Sequence, residues 1–273
     1  MKKFVIGDIQ GCYTGLRTLL NKAKFKPDRH KLVAVGDLVA RGEDSLNTLL
    51  MLMDMGDGFD TVLGNHDLHL IAIAHGIRSP KPNDNLDNLL KHSEFPKIVD
   101  WLLTKPLAIR IKPKTLIVHA GLYPQWSFKQ AIAFSDRIQQ QLQSDNIVRF
   151  LDAMYGNEPA VWRPGLTETD ENRFIVNAMT RMRYITPSLA LEFTTKCHPS
   201  AAPHHLLPWF LADNKQLKSS QRIIFGHWAS LHGLMCRHHI SGTQLIGLDT
   251  GYVWGNKMSL FNLQNEDITV ISA

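Results

Sequence analysis

The sequence predicts an α/β fold with at least partly parallel strands. Three observations carry this expectation. Short apolar runs, Lys3-Phe4-Val5-Ile6, Lys31-Leu32-Val33-Ala34-Val35 and Asp60-Thr61-Val62-Leu63, read as buried strands. Helical spacing follows, with Leu16, Leu19, Leu20 and Ala23 after the first run and Leu46, Leu49, Leu50 and Met53 after the second. The strand pattern then returns late in the chain, at Arg222–Phe225, Leu245–Leu248, Lys257–Phe261 and Ile268–Ile271. Alternating strand and helix imply βαβ units. Strands from both ends of the chain imply one core, so we expect a single domain over residues 1–273.

Strand, loop and helix repeat to about residue 75. Residues 76–94 are rich in Pro, Asn and Asp (Ser79-Pro80-Lys81-Pro82-Asn83-Asp84) and read as a surface loop. A helix is expected at Phe95–Leu103. Leu107–Ile111 and Thr115–Val118 read as a hairpin around Lys112-Pro113-Lys114, ending in His119-Ala120-Gly121. Residues 127–155 have helical spacing at Phe128, Ile132, Ile138 and Leu142, whereas 156–221 show weak periodicity. We read 122–221 as an elaboration of the core that contributes to the substrate site. No internal repeat is present.

Composition narrows the class. In 273 residues, 44% are apolar and 20% charged, enough core to exclude a disordered chain. The net charge of +5 comes without a basic tract. It favours mild attraction for polyanions and argues against general nucleic-acid binding. Cys12, Cys197 and Cys236 are odd in number and far apart, which excludes a disulfide framework and a zinc ribbon and fits a reducing compartment. The apolar run after Met1 is too short for a signal peptide. No stretch reaches the roughly 18–20 apolar residues of a membrane span. A cytoplasmic protein with no membrane contact and no obligate protein partner is expected.

The strand ends carry the chemistry. The three early runs lead into Gly7-Asp8-Ile9-Gln10-Gly11, Gly36-Asp37-Leu38-Val39-Ala40-Arg41-Gly42 and Gly64-Asn65-His66-Asp67. Later strands lead into His119-Ala120-Gly121 and Gly226-His227-Trp228. Open α/β sheets bind ligands at such carboxyl ends. Asp8, Asp37, Asn65, His119 and His227 are therefore candidate metal ligands. Mixed carboxylate, amide and imidazole donors without sulfur suit Mn²⁺, Co²⁺, Fe or Mg²⁺, and Zn²⁺ is compatible. Five donors are too many for one open ion and suit two, with Asp37 as the candidate bridge. Two ions roughly 3.5–4 Å apart can hold a hydroxide and clamp a phosphoryl group. Asp and Asn are also common turn residues. That alternative accounts for any one loop, but not for the neighbouring Arg41 and His66. The planar fork of Arg41 can grip a phosphate. His66 can give a proton to a departing oxygen, a role worth about 10²–10⁴-fold.

These blocks, in this order, resemble those of the calcineurin-like metallophosphoesterases, in the branch that includes the serine/threonine protein phosphatases. The likeness spans nearly the whole chain. It extends to Leu151-Asp152-Ala153-Met154-Tyr155-Gly156, Asn177-Ala178-Met179-Thr180-Arg181-Met182-Arg183, Phe225-Gly226-His227-Trp228-Ala229-Ser230-Leu231 and Leu248-Asp249-Thr250-Gly251. Those later blocks are similar to the members that split dinucleoside polyphosphates symmetrically. The resemblance implies a four-layer α/β/β/α sandwich with a largely helical elaboration. It also implies two divalent ions, Mn²⁺ or Co²⁺, and hydrolysis of diadenosine tetraphosphate to two ADP by attack of metal-bound hydroxide on an inner phosphorus. Carried over by motif, the ligands are Asp8, Gln10, Asp37, Asn65, His119 and His227, with Arg41 on phosphate and His66 as the acid. The wider family has His at the Gln10 position, and a Gln carbonyl is a weaker, neutral ligand. The protein phosphatases have an orienting Asp at the Ala40 position, so that role falls to another group, of which Asp67 is the candidate.

The middle of the chain adds substrate-binding candidates. Arg181 and Arg183 would share a face of an extended segment and straddle the polyphosphate. Among Trp126, Trp162, Trp209, Trp228 and Trp254, one or two are expected to stack on adenine, a contact worth roughly 1–3 kcal/mol. Trp126 and Trp228 are favoured because they adjoin the His119 and His227 loops. His204-His205 and His238-His239 lack strand-end context and read as solvated. Three alternatives use the same motifs: a phosphoprotein phosphatase, a scaffold that has lost catalysis, and an enzyme acting on RNA whose 5′ end carries a dinucleotide-like tetraphosphate.

Overall fold

The structure, a computed structural model, describes residues 1–236 and 242–273. The pair His238-His239 falls outside the described residues, whereas His204-His205 is exposed. The strands are β1 (Lys2–Ile6), β2 (His30–Ala34), β3 (Phe59–Thr61), β4 (Ala108–Lys112), β5 (Thr115–Val118), β6 (Tyr184–Ile185) and β7 (Leu191–Glu192). They continue with β8 (Leu207–Pro208), β9 (Arg222–Phe225), β10 (Leu234–Cys236), β11 (Gln244–Gly247), β12 (Lys257–Asn262) and β13 (Ile268–Ser272). The helices are α1 (Tyr13–Lys22), α2 (Ser45–Asp54), α3 (Asn65–Ala74), α4 (Asp87–Leu90), α5 (Phe95–Leu103), α6 (Phe128–Leu142), α7 (Ile147–Ala153) and α8 (Glu168–Thr180).

Two five-stranded sheets form the core, in the orders β13-β12-β1-β2-β3 and β10-β11-β9-β5-β4. A small third sheet, β7-β6-β8, lies in the elaboration. In the first sheet β1, β2 and β3 are parallel; in the second β5, β9 and β11 are parallel. The outer pairings, β1 with β12 and β12 with β13, β4 with β5 and β10 with β11, are antiparallel. Strand side chains alternate between faces. Val5, Val33, Val35 and Val62 therefore meet Ile117, Ile224 and Ile246 of the other sheet, in a cluster that holds the two sheets together. Phe4, Ile6, Leu32 and Ala34 point the other way, into the helix-covered cluster. Helix α1 packs on β12 and β13, and α6 packs on β4, which completes the helix, sheet, sheet, helix order. Both faces of the central strands are buried, so these strands read as continuous apolar runs.

Two segments differ from the expectation. Residues 76–94 are not merely a surface loop. Asp84 is buried, and Leu86 and Leu89 around α4 join the main core. The Pro- and Asn-rich composition hid that anchor. Residues 156–221 contain the thirteen-residue helix α8. Thr167 caps it by accepting from the Asp170 N–H, and Glu168, Asp170 and Glu171 sit in its first turn, where the helix dipole favours acids. Every residue from Phe174 to Thr180 is buried, so the helix lacks the polar stripe that marks a surface helix. Arg181 ends α8 rather than lying in an extended segment. No helix among the described residues is long and apolar enough to cross a membrane.

Candidate active site

The six parallel strands open their carboxyl ends toward one cleft of about 840 Å³. Asp8 follows β1, Asp37 follows β2, and Asn65 begins α3 just after β3. His119 and His227 follow β5 and β9. Asp8, Gln10, Asp37, Asn65, His66 and His227 line the cleft, and His119 lies fully buried behind them. The backbone is bent to deliver these groups. Gln10, Asp37, Ala40, Arg41 and His227 all have φ between 49° and 73°. Non-glycine residues held there cost on the order of 1–3 kcal/mol each and cluster where function requires them. The adjoining glycines have a steric cause. A Cβ at Gly64 would collide with Asp37 Oδ1, and one at Gly226 would collide with Asp8 Oδ1.

The donor atoms converge. One ligand atom from each of Asp37, His119 and His227 lies within 4.8 Å of the other two. His119 Nδ1 is 2.9 Å from the Val35 carbonyl, which fixes its N–H there and turns Nε2 toward Asp37 Oδ2 at 3.5 Å. His227 Nε2 is 3.1 Å from the Arg181 carbonyl, which leaves Nδ1 facing the site. The His227 N–H donates to both Asp8 oxygens, at 3.1 and 3.2 Å. The inward atom of the Asn65 amide meets only acceptors, His119 Nε2, His227 Nδ1 and the Thr180 carbonyl, while the outward atom faces the His66 N–H. The Asn65 amide nitrogen, turned inward, reaches those acceptors at 3.3, 2.9 and 3.1 Å. A cation satisfies the same lone pairs with the amide oxygen inward, so the donor set fits a metal centre.

The charges agree. Burial and the neighbouring Asp249 raise the Asp8 carboxyl well above the usual range. Burial works against ionised Asp37, but His119 and His66 outweigh it and hold its carboxyl down at about 2. Burial opposes a charge on His119 too, yet Asp37 lifts it to about 9. His227 is pushed well down by burial and by Arg183. Asp249 follows β11 and sits in the same cleft, where burial lifts it to about 6. Several buried carboxylates in one cleft repel each other, and a divalent cation offsets that repulsion. Asp249 was missed as a site residue. It obeys the rule that found the others, since Leu245–Leu248 is an apolar run ending in a carboxylate.

Phosphate-sized anions have partners nearby. Arg41 donates from its backbone N–H to the Asp84 carbonyl (3.0 Å) and from Nη1 to the Asn83 carbonyl (3.3 Å). Its Nη2 is 3.7 Å from Asp84 Oδ1, and its buried Nε has no partner. Asp84 thus steadies the guanidinium while leaving an N–H for an anion. Arg181 lines the cleft with Nη1 on Asn177 Oδ1 at 2.8 Å and Nη2 on Asn157 Oδ1 at 3.0 Å. Arg183 lines it too, with Nη2 on the His227 carbonyl at 2.7 Å.

Three expectations are corrected. Asp67 does not orient His66. It is fully buried, and its carboxylate accepts from the N–H groups of Asp37 (2.8 Å), Leu38 (2.9 Å) and Gly64 (2.8 Å). Burial and Asp37 push it up to about 7, against the pull of those N–H groups. It ties the Asp37 loop to the start of α3. Trp126 cannot stack on a base, because it is fully buried among Tyr123, Phe134, Trp162 and Phe174. Trp228 cannot either. It is 2% exposed, packs on Tyr184 at 4.8 Å and donates from its indole N–H to Ser230 Oγ at 3.0 Å. Both indoles turn into the core of the elaboration.

A structural Asp67 has a measurable consequence. Asp67→Asn keeps the shape but replaces one acceptor oxygen by a donor facing N–H groups. Unsatisfied buried groups cost about 1–3 kcal/mol each. We expect a stability loss of about 2–4 kcal/mol in urea denaturation. Wild-type stability in this variant would mean that these three contacts do not tie the Asp37 loop to α3.

Comparison with known proteins agrees with this geometry. A profile of the calcineurin-like phosphoesterases matches residues 1–230. The chain is 40% identical over 273 residues to a symmetrical bis(5′-nucleosyl)-tetraphosphatase of Neisseria meningitidis, covering 100% of this chain and 96% of that protein. It is 41% identical over 271 residues to a protein of the same name from Psychromonas ingrahamii, covering 97% and 95%. Its fold is shared with a crystal structure described as that of a candidate diadenosine tetraphosphatase, at TM-score 0.64 and 24% identity, covering 100% of this chain and 93% of that one. With a family profile over most of its length and relatives at this identity from end to end, the chain belongs to the calcineurin-like phosphoesterases.

Proposed function

We propose that this protein hydrolyses diadenosine tetraphosphate at the centre of its phosphate chain and releases two ADP. The carrying observation is one cleft that joins the converging Asp37, His119 and His227 donors to Arg41, Arg181 and Arg183. The names of full-length relatives at about 40% identity support the same substrate. Asp8, Gln10, Asp37, Asn65, His119 and His227 would hold two divalent cations, Mn²⁺ or Co²⁺. Such ions, when bound, activate water and offset phosphoryl charge.

The remaining work falls to the protein. Arg41, Arg181 and Arg183 bind the phosphate oxygens and fix the central anhydride beside the donors. Water adds to an inner phosphorus, and the bridging oxygen leaves with one ADP. His66, on the cleft wall, is placed to give that oxygen a proton where the leaving group needs one. The segment 122–221 belongs to the same domain and provides the substrate side of the cleft through Tyr155, Asn177, Arg181 and Arg183. The sparse and widely separated cysteines Cys12, Cys197 and Cys236 support a reducing, cytoplasmic setting for the protein.

Product analysis tests the reading. Incubation with diadenosine tetraphosphate and Mn²⁺ should give ADP alone, and chelation should abolish turnover. AMP with ATP would mean asymmetric cleavage and would end the symmetric assignment. A phosphopeptide turned over faster than the dinucleotide would favour a protein phosphatase.

A further inference from the structure

We propose that Trp254 is the stacking platform for one nucleobase of the substrate, an inference that rests on the dinucleotide reading above. Trp254 lines the cleft and is 61% exposed, the only exposed tryptophan among the described residues. The other aromatic rings on the cleft wall, histidines aside, each carry a guanidinium on one face. The Arg78 guanidinium lies 3.8 Å from the Tyr155 ring centroid, and that of Arg181 lies 4.3 Å from the Phe193 centroid. No ring or cation among the described residues stacks on Trp254. Among the described residues, Trp254 is thus the one aromatic ring of the cleft, histidines aside, that an uncharged planar base can reach with no cation on it.

The turn that carries Trp254 is braced by its own hydrogen bonds and tied to the site. It begins two residues after Asp249. Gly251 and Gly255, at φ 74° and 83°, bracket the single turn Tyr252–Trp254. The Trp254 N–H donates to the Gly251 carbonyl at 3.0 Å, and the Gly255 N–H to the Tyr252 carbonyl at 2.9 Å. The Tyr252 ring sits so tightly on α1 that a Cβ at Gly15 would lie 2.6 Å from it. A Cβ at Gly251 would lie 3.6 Å from the Ala229 Cβ, in the loop just after His227. The turn thus anchors Tyr252 inward and holds Trp254 outward beside the donor loops. A platform fixed before the ligand arrives loses little entropy on binding. With one such platform among the described residues and two bases to hold, the two halves of a symmetric substrate would be held unequally.

Binding of two probes to the Mn²⁺-loaded full-length protein decides the point. ADP carries a base, and inorganic pyrophosphate does not. In Trp254→Ala, ADP should bind roughly 5- to 100-fold more weakly, with pyrophosphate binding unchanged. Trp254→Phe should recover most of the ADP affinity. ADP, and not pyrophosphate, should quench the wild-type tryptophan fluorescence. Equal loss for both probes would make Trp254 merely structural, and unchanged ADP binding in Trp254→Ala would also overturn the proposal. The readout does not depend on turnover. Base-dependent binding without dinucleotide hydrolysis would overturn the substrate reading while leaving the base site in place.

Discussion

Asp37→Asn should lower turnover of diadenosine tetraphosphate by about 10³-fold or more and strip divalent metal from the protein. The residue joins more parts of the site than any other. Its Oδ1 accepts from the His66 N–H at 2.9 Å, its Oδ2 faces His119 at 3.5 Å, and its own N–H donates to Asp67. The substitution keeps the size and the backbone bonds. It removes a negative charge and gives one position a donor in place of an acceptor. As the proposed bridge, Asp37 would need lone pairs on both oxygens, so its loss would weaken both cation positions together. Metal content after dialysis, the rate at saturating Mn²⁺ and the circular dichroism spectrum separate loss of ligation from loss of fold. A folded Asp37→Asn protein with full metal content and full rate would remove Asp37 from the centre.

The sequence shows some of these features plainly and hides others, for physical reasons. Asp8, Asp37, Asn65, His119 and His227 are legible because each follows a buried strand, and parallel strands in two facing sheets open at the same end. The glycines beside them are legible for a second reason, since the carboxylates sit against backbone that tolerates no Cβ. Asp249 was within reach of the same rule. Asp84 was not. Its link to Arg41 joins residues 43 positions apart through a turn whose composition looks solvated. Helix α8 was hidden because burial on many sides erases the amphipathic period. The tryptophans fail differently. Adjacency in sequence to His119 or His227 says nothing about direction, because neighbouring side chains on an extended chain leave opposite faces. Trp228 thus turns inward beside His227, Trp126 is buried seven residues past His119, and Trp254, five residues past Asp249, faces the cleft.

His66→Ala should lower turnover toward the modest end of the range for a general acid, about 10²-fold, with metal content unchanged. Only the backbone N–H of His66 touches the donor set, so truncating its side chain spares the ligands. Two observations set the modest figure. Ala40 carries no carboxylate, Asp67 is fully engaged by three backbone N–H groups, and no described residue hydrogen-bonds to the His66 ring. No hydrogen bond from a described residue therefore orients the ring toward the leaving oxygen. The leaving group also needs little help. A terminal phosphate oxygen on departing ADP has a pKa near about 6, so it leaves at neutral pH largely without a proton. An alkoxide leaving group lacks that advantage. The same variant should then lose more activity on an alkyl phosphate than on diadenosine tetraphosphate. The ratio of the two losses, measured under saturating metal, reports proton donation rather than a general disturbance, which would lower both rates alike. Equal losses on both substrates would place the proton source elsewhere and leave the His66 side chain a positioning role, since alanine keeps the backbone N–H that meets Asp37.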